Sequence, residues 1–316
     1  MGVEAGDRLG TFLRFVAFLA LASAVVVAGG ALAQGGGVPA LGLVLLAAGI
    51  LPSLLLLPRR GKVWEAVGLG LDAGVVRSLG NGLLLGVGLA AAVVGLVAVA
   101  GGIEWIRGVE SWSSGLEGLV AGIALFTLPA AGEEVLFRGY GLQILVWGWG
   151  SGPAVGLTSG LFAGLHGGNP EVTGVALVNI GLAGAFFAIV ALRTGGLWVP
   201  IGAHLGWNWC LGALFGLPVS GLHLVERPLL RLDTAGAVWV SGGPFGPEGG
   251  VAAGVVLAAA VVVAWRKGEG PRPAGGGDAR TDGTEEGSEG RVLPPDHDAP
   301  EEPGRDARGN GGPKPG

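Results

Sequence analysis

The chain has 316 residues, 50% of them hydrophobic and 14% charged, with a formal net charge of -5 at pH 7. Several apolar runs are long enough to cross a hydrocarbon core of about 30 Å, which takes roughly 20 helical residues, so a water-soluble globular domain is excluded. The single cysteine, Cys210, excludes a disulfide framework or a cysteine metal cluster within one chain, and no basic surplus implies a nucleic-acid partner.

Runs such as "LLLGVGLAAAVVGLVAVA" lack the alternation of barrel strands. The expectation is therefore an all-α, polytopic transmembrane helix bundle of about eight helices, with the lipid bilayer as its first partner. Arg8, Arg14, an apolar stretch and "ALAQ" at 31–34 imitate a secretory signal with a small-residue cleavage site. The run over 11–33 nonetheless reads as a first spanning helix, because more such runs follow. A second spans 38–58 and is followed by basic "RRGK" at 59–62. The stretch 63–80, "VWEAVGLGLDAGVVRSLG", mixes apolar residues with Glu65, Asp72 and Arg77, the pattern of an amphipathic helix lying in the interface. A third spanning run covers 82–101.

Further spans are predicted over 117–146, 152–169, 173–193 and 197–217, and a last one over 250–265. Between the last two, 218–249 is polar and rich in proline and glycine and reads as an extramembrane loop, where His223 receives no role. From Gly268 onward the chain carries 11 acidic and 6 basic residues, leaving 13 of each sign before it. This acidic Gly/Pro-rich tail lacks the apolar content to fold and is expected to be disordered. The organisation is thus 1–114, N-terminal helices with an interfacial segment; 115–217, a polar-bearing core; 218–267, loop and last helix; and 268–316, tail. "RRGK", Arg193, Arg266 and Lys267 place both termini in the cytoplasm by the positive-inside rule, although Arg227 and Arg231 lie in the opposing loop. The Ala, Gly and Val bias points to a bacterial cytoplasmic membrane.

Within the fourth run, "LPAAGEEVLFRGY" (128–140) carries three charges, each costing about 2.5 to 3.5 kcal/mol at a bilayer centre unless paired or facing a cavity. Glu134 and Arg138 share a helix face at i and i+4, carboxylate first, the favourable order for a pair. Glu133 is rotated by about 100° and must look elsewhere. Two histidines also fall in apolar runs: His166, four residues after Phe162, and His204, four residues before Asn208. If "WGWGSGP" is the turn between the fourth and fifth helices, Glu133 and His166 are equidistant from its middle and meet at similar depth. At about 1.5 Å per residue that depth is roughly 25 Å, so the hairpin must project from the membrane or kink. His204 lies close to the start of its run and needs tilt or a shallow cavity to join them.

Polar residues of this kind often act as interhelical glue. Six of them confined to three helices, while the other helices carry almost none, point instead to a site. A carboxylate and an imidazole can orient and deprotonate water, and a second imidazole with an amide, both neutral donors, can stabilise an oxyanion; together they support peptide hydrolysis. No Gly-x-Ser-x-Gly elbow or His-Glu-x-x-His helix is present, and Ser159 is not placed as a nucleophile.

At these residues the sequence resembles the CPBP family of intramembrane proteases, which includes type II CAAX prenyl endopeptidases and bacterial abortive-infection proteins. The family pattern of Glu-Glu-x-x-x-Arg, Phe-x-x-x-His and His-x-x-x-Asn/Asp appears in order as Glu133, Glu134 and Arg138, then Phe162 and His166, then His204 and Asn208. The resemblance covers roughly 115–217. It implies Glu133 as general base, His166 as a holder of the water, His204 and Asn208 as the oxyanion hole, and Glu134 and Arg138 as braces. Glu133, His166 and His204 could also supply three ligands to zinc, whereas the glutamate-and-water mechanism needs no metal. The implied substrate is a membrane-associated protein or peptide. Two other readings compete: a non-catalytic scaffold or immunity protein of the same family, and a transporter, which would instead spread its charges over both halves of the chain.

Overall fold

The structure is a computed structural model that describes residues 8–33, 35–57, 63–108 and 111–266. The basic "RRGK" at 59–62 and the tail at 268–316 lie outside the described residues, as does Lys267. Five described helical stretches are long and apolar enough to cross a membrane, and the architecture is the expected all-α membrane bundle.

Helices α1 (Arg8–Leu32) and α2 (Gly37–Leu56) come first. The α1 side chains Phe15, Phe18 and Ala22 are buried in one core cluster. The expected amphipathic helix over 63–80 is broken into one turn, α3 (Val63–Ala66), and the first residues of the next helix. Gly68 turns the chain at φ 80°, and Asp72 Oδ1 accepts from the Gly74 amide at 2.6 Å, so backbone entropy and an Asx turn break the helix before α4 (Val75–Val99) begins. The broken segment is nonetheless tied down. Gly68 O accepts from Leu197 N at 2.7 Å, and Gly70 O accepts from Trp198 Nε1 at 2.8 Å, which fixes the start of a later helix.

Strand β1 (Ile103–Gly108) precedes α5 (Trp112–Arg138), which opens on a capping box between Ser111 and Ser114. The span expected over 117–146 is not one straight helix: it stops at Gly139 and restarts as α6 (Tyr140–Trp149). This break supplies the kink that the depth argument required. Gly150, at φ 85°, then turns the chain into α7 (Ser151–Leu165), which ends in a single 3-10 turn, His166–Gly168. Helix α8 (Gly174–Thr194) starts at a Thr173 cap that accepts from Ala176 N. Helix α9 (Trp198–Trp209) runs into a π turn, Cys210–Leu214.

Two glycine contacts press the polar helices against their neighbours. A Cβ on Gly86 of α4 would stand 1.9 Å from Ala203 O of α9, and one on Gly132 of α5 would stand 2.5 Å from Gly42 O of α2. Backbones approach this closely only where side chains are missing, the small-residue packing available to helices that lack a hydrophobic drive in lipid.

The stretch 218–249, read as a plain loop, contains strand β2 (Leu230–Thr234), paired antiparallel with β1, and the short helix α10 (Val238–Ser241). It also packs inward, with Phe245 fully buried in the same cluster as Phe18 and Phe162. Its irregular backbone is satisfied internally, as a buried segment requires, for example by Gly221 N to Phe245 O at 3.0 Å and Gly249 N to Gly246 O at 2.9 Å. Helix α11 (Val251–Arg266) closes the described chain, and Arg193 at the end of α8 donates to Trp265 O at 2.6 Å. Helices α7, α9 and α11 are shorter than a full crossing, which is why five long spans stand where about eight were expected.

Candidate active site

Four helices bring the polar residues together: α5 carries Glu133, Glu134 and Arg138; α7 and its terminal turn carry Phe162 and His166; α8 contributes an aromatic wall; and α9 carries His204 and Asn208. Glu134 and Arg138 are fully buried and paired, with Nη1 to Oε1 at 3.1 Å, as the i, i+4 spacing suggested. Arg138 has further support: Nη2 donates to Gly184 O of α8 at 3.1 Å, and its guanidinium lies 4.4 Å from the centre of the Phe162 ring. Phe162 therefore covers the buried cation, and it sits edge-on to Phe137 with centroids 5.1 Å apart.

Glu133 is turned from that pair and remains one-fifth exposed. Its Oε2 lies 3.9 Å from His166 Nε2 and 3.9 Å from His204 Nε2. Residues from three separate apolar runs thus converge on one carboxylate oxygen. The separations exceed hydrogen-bond length, so a small group between the three can contact each.

The second nitrogen of each ring is held. His166 Nδ1–H donates to Phe162 O at 2.7 Å, because a carbonyl can only accept. His204 Nδ1 lies 2.9 Å from Glu134 Oε1 and donates to that carboxylate. With Nδ1 carrying the proton, a neutral imidazole presents a lone pair, not a donor, at Nε2. This corrects the expectation of a neutral His204 donor: to donate from Nε2 its ring must carry both protons, and Glu134 stands where it can balance that charge. Phe187 of α8 stacks on the His204 ring at 4.9 Å and 14°, fixing the ring plane.

Asn208 is half-buried and shares with His166 and His204 the lining of a cavity of about 30 Å³, room for one water-sized molecule. Glu133 does not line this cavity but touches the two histidines that do. Three polar atoms, Glu133 Oε2, Glu134 Oε2 and Arg138 Nε, are buried without hydrogen-bond partners. Such shortfalls concentrate at functional sites. Ser159 is buried against Gly184, and its Oγ makes no hydrogen bond, so no base activates it.

Glu133, His166 and His204 are donor types that zinc accepts, but they do not form a closed shell. Ligands on tetrahedral zinc stand about 3.3 Å apart, from bond lengths near 2.0 Å, and the spacings here are 3.9 Å. No cluster of three His, Cys, Asp or Glu suited to a metal ion occurs among the described residues.

The residues that sequence reasoning missed are Phe187, Asn179, Trp207, Ser220 and Glu248. All five line the same cavity. Phe187 is one of two adjacent phenylalanines in an apolar run, and Glu248 lies in a segment that reads as solvent-exposed, so neither carries a local signal. No curated protein and no solved structure matches the chain. Residues 115–210, the stretch that holds every motif residue from Glu133 to Asn208, match the family model described as type II CAAX prenyl endopeptidase Rce1-like.

Proposed function

We propose that the protein is an intramembrane endopeptidase that hydrolyses a peptide bond of a membrane-associated protein or peptide by glutamate-activated water. The observation that carries this reading is the convergence of Glu133 Oε2 with the Nε2 atoms of His166 and His204, inside the stretch that matches the endopeptidase family model. Water placed between them donates one proton to Glu133 and the other to the His166 lone pair, which aims its oxygen at a substrate carbonyl. As the oxygen bonds to the carbonyl carbon, Glu133 takes its proton. Negative charge grows on the former carbonyl oxygen, where the Asn208 amide and a doubly protonated His204 donate. Glu133 then returns the proton to the leaving nitrogen, the C–N bond breaks, and a carboxylate and an amine result.

The roles differ because the surroundings differ. Glu134 is fully buried with Oε1 shared by Arg138 and His204, whereas Glu133 is one-fifth exposed and its unbonded Oε2 lies 3.9 Å from both imidazole Nε2 atoms, which suits it to be the base. The lipid-facing apolar spans support a multi-pass location. The basic residues in the last turns of α8 and α11, Arg193 and Arg266, support a cytoplasmic placement of these two helix ends and the termini.

The test is cleavage of a membrane-peptide library by purified wild type and Glu133→Gln protein, each with and without a strong zinc chelator. Glu133→Gln is expected to lower the rate about 100-fold or more with no change in folded yield, and wild-type cleavage is expected to persist under chelation. Loss under chelation would reassign the three side chains to zinc. Undiminished cleavage by the mutant would remove Glu133 from the mechanism, and no cleavage by folded wild type would favour the non-catalytic scaffold.

A further inference from the structure

Glu248 is a buried carboxylate that the proposed mechanism does not use, in a segment with no motif. It forms no ion pair among the described residues and is held entirely by neutral donors. Trp207 Nε1 of α9 donates to Oε1 at 2.8 Å, while the Ser220 amide, in a short contact, and Ser220 Oγ, at 3.3 Å, approach Oε2. Its backbone is pinned as well, because Asn179 Nδ2 of α8 donates to Glu248 O at 2.7 Å and to Gly250 O at 2.8 Å. Leaving a charged group at such a site costs several kcal/mol unless it is fully bonded, so the two oxygens hold their partners firmly.

These bonds connect the two histidine-bearing elements. Trp207 lies on α9, one turn after His204 and next to Asn208. Ser220 O accepts from Asn169 Nδ2 at 3.0 Å, and Asn169 N donates to His166 O at 3.0 Å at the end of the His166 turn. The path from His166 through Asn169 and Ser220 to Glu248, and from Glu248 through Trp207 to α9, closes a ring around the cavity that both histidines line. We infer that Glu248 is a positioning residue: it clamps the segment from Ser220 to Gly250 as a roof over the cavity and thereby sets the separation of His166 and His204. The inference takes the proposed hydrolytic site as its frame.

The mechanism is sensitive to that separation, since displacement of a catalytic group by about 1 Å can cost on the order of 100-fold in rate. Glu248→Ala removes the acceptors for both Trp207 and Ser220. Glu248→Gln keeps one acceptor oxygen and offers the other partner a donor, so it restores half of the clamp.

The experiment combines nitrogen NMR of histidine-labelled protein in micelles with steady-state kinetics on a peptide the wild type cleaves. Glu248→Ala is expected to shift the ring resonances of both His166 and His204 relative to wild type. It should also lower kcat by roughly 10- to 100-fold while KM stays within about threefold; Glu248→Gln should recover part of the loss. If Glu248→Ala does not fold, Trp207→Phe removes the α9 side of the same clamp and is read in the same way. Unshifted His166 and His204 resonances in a folded variant would overturn the inference, whether or not any substrate is cleaved. Shifted resonances in a protein whose wild type cleaves nothing would retain the clamp and sink the proteolytic reading.

Discussion

At the scale of single residues, the arrangement separates two adjacent carboxylates by what each one touches. Glu134 spends one oxygen on Arg138 and His204, and Glu133 keeps an unbonded oxygen facing the two imidazoles. The pair Glu134–Arg138 is legible in the sequence, because four-residue spacing on a helix leaves little choice of partner. The role of Phe162 as a lid on Arg138, and of Phe187 as the plane on which His204 rests, is not legible, since both depend on which apolar run packs beside which. The His204 tautomer was unreadable for the same reason, because its acceptor, Glu134 Oε1, comes from another run, whereas the His166 acceptor, Phe162 O, lies four residues back on its own helix. Arg138→Ala removes the cation from a buried carboxylate, a class of change that costs about 3 to 5 kcal/mol. The expected result is a lower folded yield and a lower melting temperature in detergent, measured against wild type. An Arg138→Ala protein that purifies and melts as wild type would show that the Glu134 charge is compensated elsewhere.

At the scale of elements, the site depends on helices that carry no chemistry. α9 is held by α4 through Gly86 and Ala203, and its first turn by Gly68 and Gly70 of the broken segment. Sequence periodicity placed that segment in the interface as a helix, but closely spaced glycines and an Asx turn outweighed the apolar pattern. A kink was one of two outcomes that the depth of Glu133 allowed, projection from the membrane being the other, and its place at Gly139 was not legible. Gly86→Val should push a side chain into Ala203 O, displace the helix that bears His204, and abolish most peptidase activity along with a drop in melting temperature. Gly88→Ala, one half-turn away and facing open space, is expected to leave melting unchanged or raise it, as replacing a mid-helix glycine gains about 0.5 to 1 kcal/mol. Equal effects of the two substitutions would refute the close-contact account of the α4–α9 pair.

At the scale of the molecule, the described chain is built from the site outward. Helices α2 and α4 support α5 and α9, and the segment after α9 folds back over the cavity. Hydrogen exchange should follow that order. Amides of residues 134–138 and 201–206 are expected to exchange slowest, and those of 222–229, in the exposed part of the returning segment, fastest; mass spectrometry of peptic peptides reads this directly. Comparable exchange in the two sets would mean that the core is no more stable than its cover. The bundle class was available from hydropathy, but the pairing of β1 with β2 was not, because neither strand has a local signal for a partner so distant in sequence. The buried guanidinium also bears on how the chain enters the bilayer. Arg138 leaves the ribosome before Gly184 and His204 exist, so α5 reaches the membrane with Glu133 unmatched and Arg138 supported by Glu134 alone. Its stable residence in lipid must wait for α8 and α9, which makes insertion of this protein a cooperative event across several spans instead of a sequence of independent ones.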